Sequence, residues 1–183
     1  MLNRLFAVIL LIILFPIFII IAVAILIEDG FPILFSQKRV GINYTFFQIY
    51  KFRSMKKNTP NVATHLLENP SQYLLKIGVL LRKLSLDELP NLFNIIIGEM
   101  AFVGPRPALF NQDDLMNLRV AAGVDKLKPG ITGWAQINGR DEISIVEKVY
   151  LEKVYLEKKS IMFDCKIIVK TFTNVLFSKG VTH

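Results

Sequence analysis

Two adjacent acidic residues near the middle of the chain have the types best suited to chemistry. Asp87 and Glu88 stand in the stretch 84–90, whose sequence is LSLDELP. An ionised carboxylate can act as a nucleophile or as a hard oxygen ligand for Mg²⁺. The alternative is structural, because Ser85 and Glu88 have the spacing of a helix capping box, which would place Asp87 in a first helical turn where the dipole favours its ionised form. Pro90 argues against that box, since it would remove a hydrogen-bond donor in the second turn.

Two arginines are held in loops that are rich in turn residues. Arg106 lies between Pro105 and Pro107, and each proline fixes its own φ and restricts the residue before it. Arg140 ends a second such loop, residues 128–140, which contains three glycines. An arginine held in this way suits a phosphate group, whereas a rigid turn with a surface arginine is the structural alternative. Glycine-rich loops beside arginines can cradle phosphates, although the pattern alone is not specific.

A run of cations follows an N-terminal apolar segment. The net charge is +7, and there is no acid between Asp29 and Glu68. This interval contains Lys38, Arg39, Lys51, Arg53, Lys56 and Lys57. Such a run is typical of a contact with anionic lipid, a phosphorylated substrate or nucleic acid, and also of a solvated face beside a membrane. Nucleic acid is the least favoured partner, because the remaining charge is mixed and the sequence contains no recognised nucleic-acid motif.

The apolar segment 5–27 carries no charged side chain. As one helix it would be roughly 34 Å long, enough to span a hydrocarbon core of about 30 Å. Pro16 lies at its midpoint, where it disrupts the hydrogen bond to the Ile12 carbonyl and predicts a strong kink. Each half would then be roughly 16 Å long, so a re-entrant hairpin and a kinked span fit equally well. A cleaved signal ending at residues 22–24 is less favoured, because the uncharged run is longer than a usual signal core and apolar residues follow it.

Length and composition limit the remaining possibilities. The chain has 183 residues, of which 52% are hydrophobic, and one segment reaches membrane length, which argues against a multi-span channel or transporter. The single cysteine, Cys165, gives no internal disulfide, and His65 and His183 lack metal-ligand spacing. We therefore expect a membrane segment over residues 1–29, followed by one domain over 30–183 on the cytoplasmic side.

The domain is predicted to be α+β. Alternating β-branched and aromatic residues predict a hairpin over 32–50, and residues 54–70 read as a loop that could cover a site. Helical patterns cover 72–84, 142–159 and 161–177, and the first of these is a basic amphipathic helix suited to a membrane surface or a core. Residues 147–156 consist of two tandem copies of the pentapeptide EKVYL. Because five is not a helical period, the two copies face different directions.

Four stretches together resemble the signature blocks of the bacterial sugar transferase family, the monotopic phosphoglycosyl transferases. They are KFRSM at 51–55, LSLDELP at 84–90, FVGPRP at 102–107 and KPGITGWAQINGR at 128–140. Their order and spacing also match, and the resemblance runs from the membrane segment to about residue 177, as in the minimal catalytic form. The resemblance implies a re-entrant membrane helix broken at a serine-proline pair. Here the pair is Phe15-Pro16, so the serine is missing while the proline remains.

The resemblance also implies an activity. Such enzymes transfer a phosphosugar from a nucleotide diphosphosugar, usually a UDP-sugar, to polyprenol phosphate at the cytoplasmic face of the bacterial inner membrane, releasing UMP. The family's dyad falls on Asp87 and Glu88, with Mg²⁺ dependence, and its Pro-Arg-Pro motif falls on residues 105–107. Membrane lipids and downstream glycosyltransferases are the other expected partners.

The charges of the chain agree with a phosphorylated substrate. The donor diphosphate can be neutralised by cations in or near the four blocks, namely Lys51, Arg53, Arg82, Arg106 and Arg140. The last block adds Gln136 and Asn138 as candidate substrate contacts. We expect Asp87 to attack the sugar-linked phosphate and to form an aspartyl phosphosugar intermediate. Two alternatives stay open: direct attack by the lipid phosphate without that intermediate, and a membrane-anchored adaptor that binds anionic lipid without catalysis.

Overall fold

The computed structural model describes residues 2–60, 69–139 and 143–176. Its helices are α1 Leu2–Asp29, α2 Lys76–Lys83, α3 Asn91–Ile97, α4 Asp113–Ala121, α5 Trp134–Ile137, α6 Ile145–Lys158 and α7 Ile161–Leu176. Its strands are β1 Leu34–Val40, β2 Phe46–Phe52, β3 Ala101–Val103, β4 Ala108–Leu109 and β5 Gly130–Thr132. One long apolar helix thus precedes a small domain of helices with short sheets, as the sequence predicted.

The predicted hairpin is confirmed and extends to Phe52. β1 and β2 pair antiparallel, from Leu34 opposite Phe52 to Val40 opposite Phe46, and β4 pairs with the other edge of β1. The tight connection places Asn43 and Tyr44 at positive φ, which is compatible with the right-handed twist of a hairpin.

A second sheet brings two of the sequence blocks together. β3 and β5 pair in parallel, with Ala101 opposite Gly130 and Val103 opposite Thr132. The backbones approach so closely that a Cβ added at Gly104 would lie 2.2 Å from the Lys128 carbonyl oxygen. Glycine is therefore required there, and the loop that follows β3 is fixed against the start of β5.

The helix α1 is the element of the described chain that is long and apolar enough to cross a membrane. It continues as helix through Pro16, so the break and the re-entrant path stay predictions. Both halves pack on the domain: Ala7 joins a cluster with Ile95 of α3, and Ile25 joins a cluster with Leu81 of α2. Most other side chains of α1 are exposed apolar groups, which fits association with a membrane.

Polar contacts fix both ends of α1. The Arg4 guanidinium donates to the Ile97 carbonyl at 3.2 Å, at the C-terminal end of α3. At the other end, the Glu28 carboxylate accepts hydrogen bonds from the backbone amides of Lys76 at 2.6 Å and Ile77 at 3.1 Å. Glu28 therefore caps α2 from a distant part of the chain.

The other helix predictions differ from the structure mainly at their ends. The predicted helix 72–84 begins only at Lys76, because Pro70–Tyr73 forms a 3₁₀ turn and the Glu28 cap lies at Lys76. The helix predicted over 142–159 is confirmed as α6, whose N-terminal cap is Ser144. The helix predicted from Ile161 is confirmed as α7.

Candidate active site

The acidic pair lies in a 3₁₀ turn between α2 and α3. Ser85 has a left-handed backbone, with φ 55° and ψ 24°, and Leu86–Glu88 form the turn that follows. The capping box is wrong, because the Ser85 side chain makes no cap bond and the helix begins only at Asn91. Pro90 is the reason, since it is tolerated immediately before a helix but not inside its second turn. The placement of Asp87 in the first turn of an α-helix is wrong with it.

Glu88 is an anchor for two of the predicted cations. Its Oε1 accepts a hydrogen bond from Lys51 Nζ at 2.7 Å, and both terminal nitrogens of Arg106 lie 3.3 Å from the same oxygen. The three side chains are only partly exposed. β2, the 3₁₀ turn and the loop after β3 therefore meet at one carboxylate.

Asp87 is buried beside these charges, with 9% of its surface exposed. Burial raises the pKa of its carboxyl and the charge of Glu88 adds to this effect, whereas Lys51, Arg82 and Arg106 oppose it. A carboxylate with a raised pKa is more basic, and poor hydration makes it a stronger nucleophile once ionised. The expectation that a helix dipole favours the ionised form of Asp87 is therefore wrong, because burial favours the protonated form.

Arg82 supplies a further positive charge near Asp87. Its Nε donates to the Ser54 hydroxyl at 3.0 Å, which ties α2 to the segment after β2. Burial lowers the pKa of Arg82, and the negative charge of Asp87 counteracts that shift. The two side chains stabilise each other electrostatically.

Arg39 belongs to the same site, although sequence reasoning did not select it. Its guanidinium donates to the Pro107 carbonyl at 3.0 Å and to Gln37 Oε1 at 2.6 Å, while its Nε is buried without a hydrogen-bond partner in the described structure. Burial, together with repulsion from Arg106, lowers the pKa of Arg39 to about 10, so it remains cationic at neutral pH. The hairpin register explains this placement, because it puts Arg39 opposite Phe47, on the same face as Lys51.

A cleft lies between these elements. The polar residues that line it are Arg39, Lys51, Glu88, Asn91 and Arg106. The Asn91 side-chain oxygen is buried there without a hydrogen-bond partner among the described residues. A cationic cleft with unpaired polar atoms is suited to an anionic ligand that also offers donors.

The Pro-Arg-Pro motif shapes one wall of this cleft. Pro107 lines it, whereas Pro105 is buried behind it and its carbonyl accepts a hydrogen bond from the Gly130 amide at 2.9 Å. Pro105 therefore acts on Arg106 through the backbone, and its own side chain does not reach the cleft lining.

Arg53 is placed away from the cleft, at the end of α1. Its guanidinium donates to the Asp29 carboxylate, to the Asp29 carbonyl at 3.2 Å, and to the Gly30 and Pro32 carbonyls at 2.6 Å each. Only 6% of its surface is exposed. The structure gives Arg53 the role of joining the membrane helix to the hairpin, and a contact with the donor would require these bonds to break.

The remaining candidates lie around α5. Gln136 donates to the carbonyl of Ile131, a cleft residue, at 3.0 Å, but its side chain does not line the cleft. Asn138 is exposed, donates to the Trp134 carbonyl at 2.7 Å and accepts from Lys170 at 3.0 Å. Their substrate contacts stay predictions. Arg140 lies outside the described residues.

The acids of the described chain provide two adjacent carboxylates for a metal ion. Within residues 2–60, 69–139 and 143–176 there is no group of three or more His, Cys, Asp or Glu side chains that could hold one. Mg²⁺ is commonly bound by one or two carboxylates and completed by substrate phosphates and water. Asp87 and Glu88 fit that mode of binding, and the predicted Mg²⁺ dependence stays a prediction.

The family model of the bacterial sugar transferases matches residues 1–178 of this chain. The match includes the dyad, the Pro-Arg-Pro loop and the apolar helix. The chain therefore belongs to the bacterial sugar transferase family, as the sequence blocks predicted.

Individual relatives agree with this assignment. The uncharacterized sugar transferase EpsL of Bacillus subtilis is 41% identical over 152 residues, which cover 83% of this chain and 74% of EpsL. The exopolysaccharide production protein ExoY of Rhizobium meliloti is 35% identical, over 90% of this chain and 79% of ExoY. The UDP-glucose:undecaprenyl-phosphate glucose-1-phosphate transferase of Escherichia coli is 36% identical over 90% of this chain, which spans only 37% of that protein.

Proposed function

We propose that this protein transfers a phosphosugar from a UDP-sugar to a polyprenol phosphate, giving polyprenol diphosphosugar and UMP. The observation that carries the proposal is the charge of the site, where four cations, Lys51, Arg39, Arg82 and Arg106, surround two carboxylates. The excess of positive charge suits a diphosphate. The similarity to a glucose-1-phosphate transferase that acts on undecaprenyl phosphate supports the class of acceptor.

The first step that we propose is attack by an Asp87 carboxylate oxygen on the phosphorus that carries the sugar. A phosphorus-oxygen bond to Asp87 forms, and the bond to the UMP oxygen breaks with its electron pair leaving on UMP. In the second step an oxygen of the polyprenol phosphate attacks the same phosphorus, and the Asp87 carboxylate leaves. Arg106 and Lys51 are placed to bind the phosphate oxygens, because both already bind a carboxylate at this position.

Glu88 assists this exchange without being the nucleophile. Its carboxylate holds Lys51 and Arg106 in place, and these cations would move onto the diphosphate when the donor binds. Asp87 and Glu88 would also hold Mg²⁺. The ion, when bound, would screen the repulsion between the carboxylates and the diphosphate.

The acceptor explains why the site is attached to a membrane helix. We propose that α1 is re-entrant, because Arg4 and Glu28, at opposite ends of α1, both contact the same domain. We also propose that the domain lies on the cytoplasmic face of the inner membrane, as the family resemblance implies. A chain with Cys165 removed and single cysteines at residue 2 or in the C-terminal tail tests this topology. Labelling of both positions from the same side is expected, whereas labelling from opposite sides would show a spanning helix.

The activity is tested by a screen of nucleotide sugars with polyprenol phosphate and Mg²⁺, in which release of the nucleoside monophosphate is measured. Release of UMP that requires both substrates is expected at steady state. A membrane-anchored adaptor, the alternative function, would release none.

The intermediate is tested separately. The two-step route predicts ping-pong kinetics and a phosphosugar adduct on the peptide that contains Asp87, formed without the acceptor. Sequential kinetics without an adduct, in a protein that turns over, would contradict attack by Asp87. It would indicate that the lipid phosphate attacks the donor directly.

A further inference from the structure

The Glu and Tyr residues of the tandem pentapeptide in α6 differ in burial between the two copies. Glu152 is 2% exposed and Tyr155 is 1% exposed, whereas Glu147 and Tyr150 of the first copy are exposed. A shift of five residues rotates a side chain by about 140° around a helix, so two identical sequences meet opposite surroundings. Glu152 and Tyr155 therefore make interior contacts that Glu147 and Tyr150 do not make.

Glu152 forms a buried ion pair with Arg119 of α4. Arg119 Nε lies 2.8 Å from one carboxylate oxygen and the terminal nitrogen lies 2.5 Å from the other, so the contact is bidentate. Arg119 is itself only 4% exposed. The same terminal nitrogen also donates to the backbone carbonyl of Arg106 at 2.9 Å.

The whole loop that carries Arg106 is held through its backbone. Besides the Arg119 contact, two carbonyls of this loop accept hydrogen bonds from other elements: Pro105 from the Gly130 amide at 2.9 Å and Pro107 from Arg39 at 3.0 Å. Glu152, in the second copy of the repeat, contributes to one of these three anchors through Arg119. The loop is thus fixed from behind while its arginine faces the cleft.

We propose that Glu152 and Arg119 are positioning residues that set the place of the Arg106 guanidinium in the cleft, an inference that rests on the proposed function. Stability alone is a weak reason for such a pair, because burial of two charges costs desolvation and apolar residues of similar size are often equally stable. Phosphoryl transfer depends chiefly on positioning and charge stabilisation, and a displacement of about 1 Å can cost a hundredfold in rate. The pair therefore acts on catalysis through the Arg106 backbone.

The repeat itself offers a matched control. Glu152→Gln weakens the bidentate contact with Arg119, and we expect kcat/KM for the donor to fall about tenfold, chiefly in kcat. Glu147→Gln makes the same chemical change at the equivalent, exposed position, and we expect wild-type kinetics. Equal kinetics of the two variants, both folded, would overturn the proposal.

A double-mutant cycle with Arg106→Ala distinguishes positioning from general stabilisation. If Glu152 acts through Arg106, Glu152→Gln should cause less than a twofold further loss when Arg106 is already alanine. A loss of the same size in both backgrounds would assign the pair to fold stability and overturn the proposal. If Glu152→Gln fails to fold because Arg119 loses its counter-charge, the double change Arg119→Met with Glu152→Leu replaces it in the cycle, since it leaves no buried charge unpaired.

Hydrogen exchange of the backbone gives a readout that does not depend on the reaction. The amides of Gly104, Arg106 and Ala108 should exchange faster in Glu152→Gln than in Glu147→Gln, and unchanged exchange would overturn the proposal. If the wild-type protein transfers no phosphosugar but the two variants differ in exchange as expected, the proposed function is refuted. The anchoring of the loop would still stand in that case.

Discussion

Lys51 and Arg53 stand two positions apart at the end of β2, yet they belong to two regions that use charge differently. At the junction of α1 with the hairpin, Arg53 binds the Asp29 carboxylate and backbone carbonyls of residues 29, 30 and 32. In the cleft, by contrast, Arg39 and Asn91 each keep a buried polar atom without a hydrogen-bond partner in the described structure. The junction satisfies its polar groups internally, whereas the cleft leaves these two atoms available to a ligand.

The sharpest test of this contrast is Asp87→Asn. Loss of the proposed nucleophile should lower kcat by about a thousandfold or more. Because burial raises the pKa of Asp87, its ionised form is costly in the folded protein, and the neutral amide should raise Tm at neutral pH. Activity assays and thermal unfolding of the same preparation measure both effects, with exposed Asp113→Asn as the control. A variant that loses both activity and stability would instead make Asp87 a structural residue.

The next comparison sets Arg106→Ala against Arg53→Ala. Loss of a charge-assisted hydrogen bond costs roughly 1.5 to 3 kcal/mol, so Arg106→Ala should reduce kcat/KM for the donor about tenfold or more, with little change in Tm. Arg53→Ala removes several bonds at a buried site and should lower Tm by about 5 °C or more. Steady-state kinetics and unfolding curves of both variants provide the measurement. A loss of activity in Arg53→Ala without a change in Tm would indicate instead that Arg53 binds the donor, as its position in the sequence suggested.

The smallest expected effect is the pH dependence of the Asp87 contribution. A carboxyl group whose folded-state pKa is raised contributes stability below its unfolded pKa, and this contribution is lost as pH rises through the folded-state pKa. The Tm advantage of Asp87→Asn should therefore be small near pH 4 and grow towards neutral pH. The acid limb of kcat/KM for the donor should also lie above the ordinary range of an aspartate, because attack requires the ionised form. A Tm difference that is independent of pH would contradict the raised pKa.

Local patterns in the sequence predicted much of this fold. Alternation of β-branched and aromatic residues gave the correct hairpin, and the motif blocks located the dyad and Arg106. The predicted capping box at Ser85 and Glu88 is wrong because Pro90 would fall in the second turn of that helix, where proline is not tolerated. The helix therefore begins after Pro90, at Asn91.

Contacts between distant segments were beyond such reasoning. The start of α2 depends on Glu28, which lies 48 residues before Lys76, and the roles of Arg39 and Arg53 depend on which elements pack beside the hairpin. Arg39 and Arg53 occur in one basic run with nothing local to distinguish them. Only the tertiary structure assigns one to the cleft and the other to the membrane helix.

The contacts at the two ends of α1 give the lipid bilayer a part in folding. Arg4 binds the end of α3 and Glu28 caps the start of α2, and these are the helices on either side of the turn that carries Asp87. Removal of α1 would therefore leave both of these helix ends without their partners. A membrane that held α1 would act as a thermodynamic ligand of the native state, so under the proposed function the protein would be most stable where its acceptor is found.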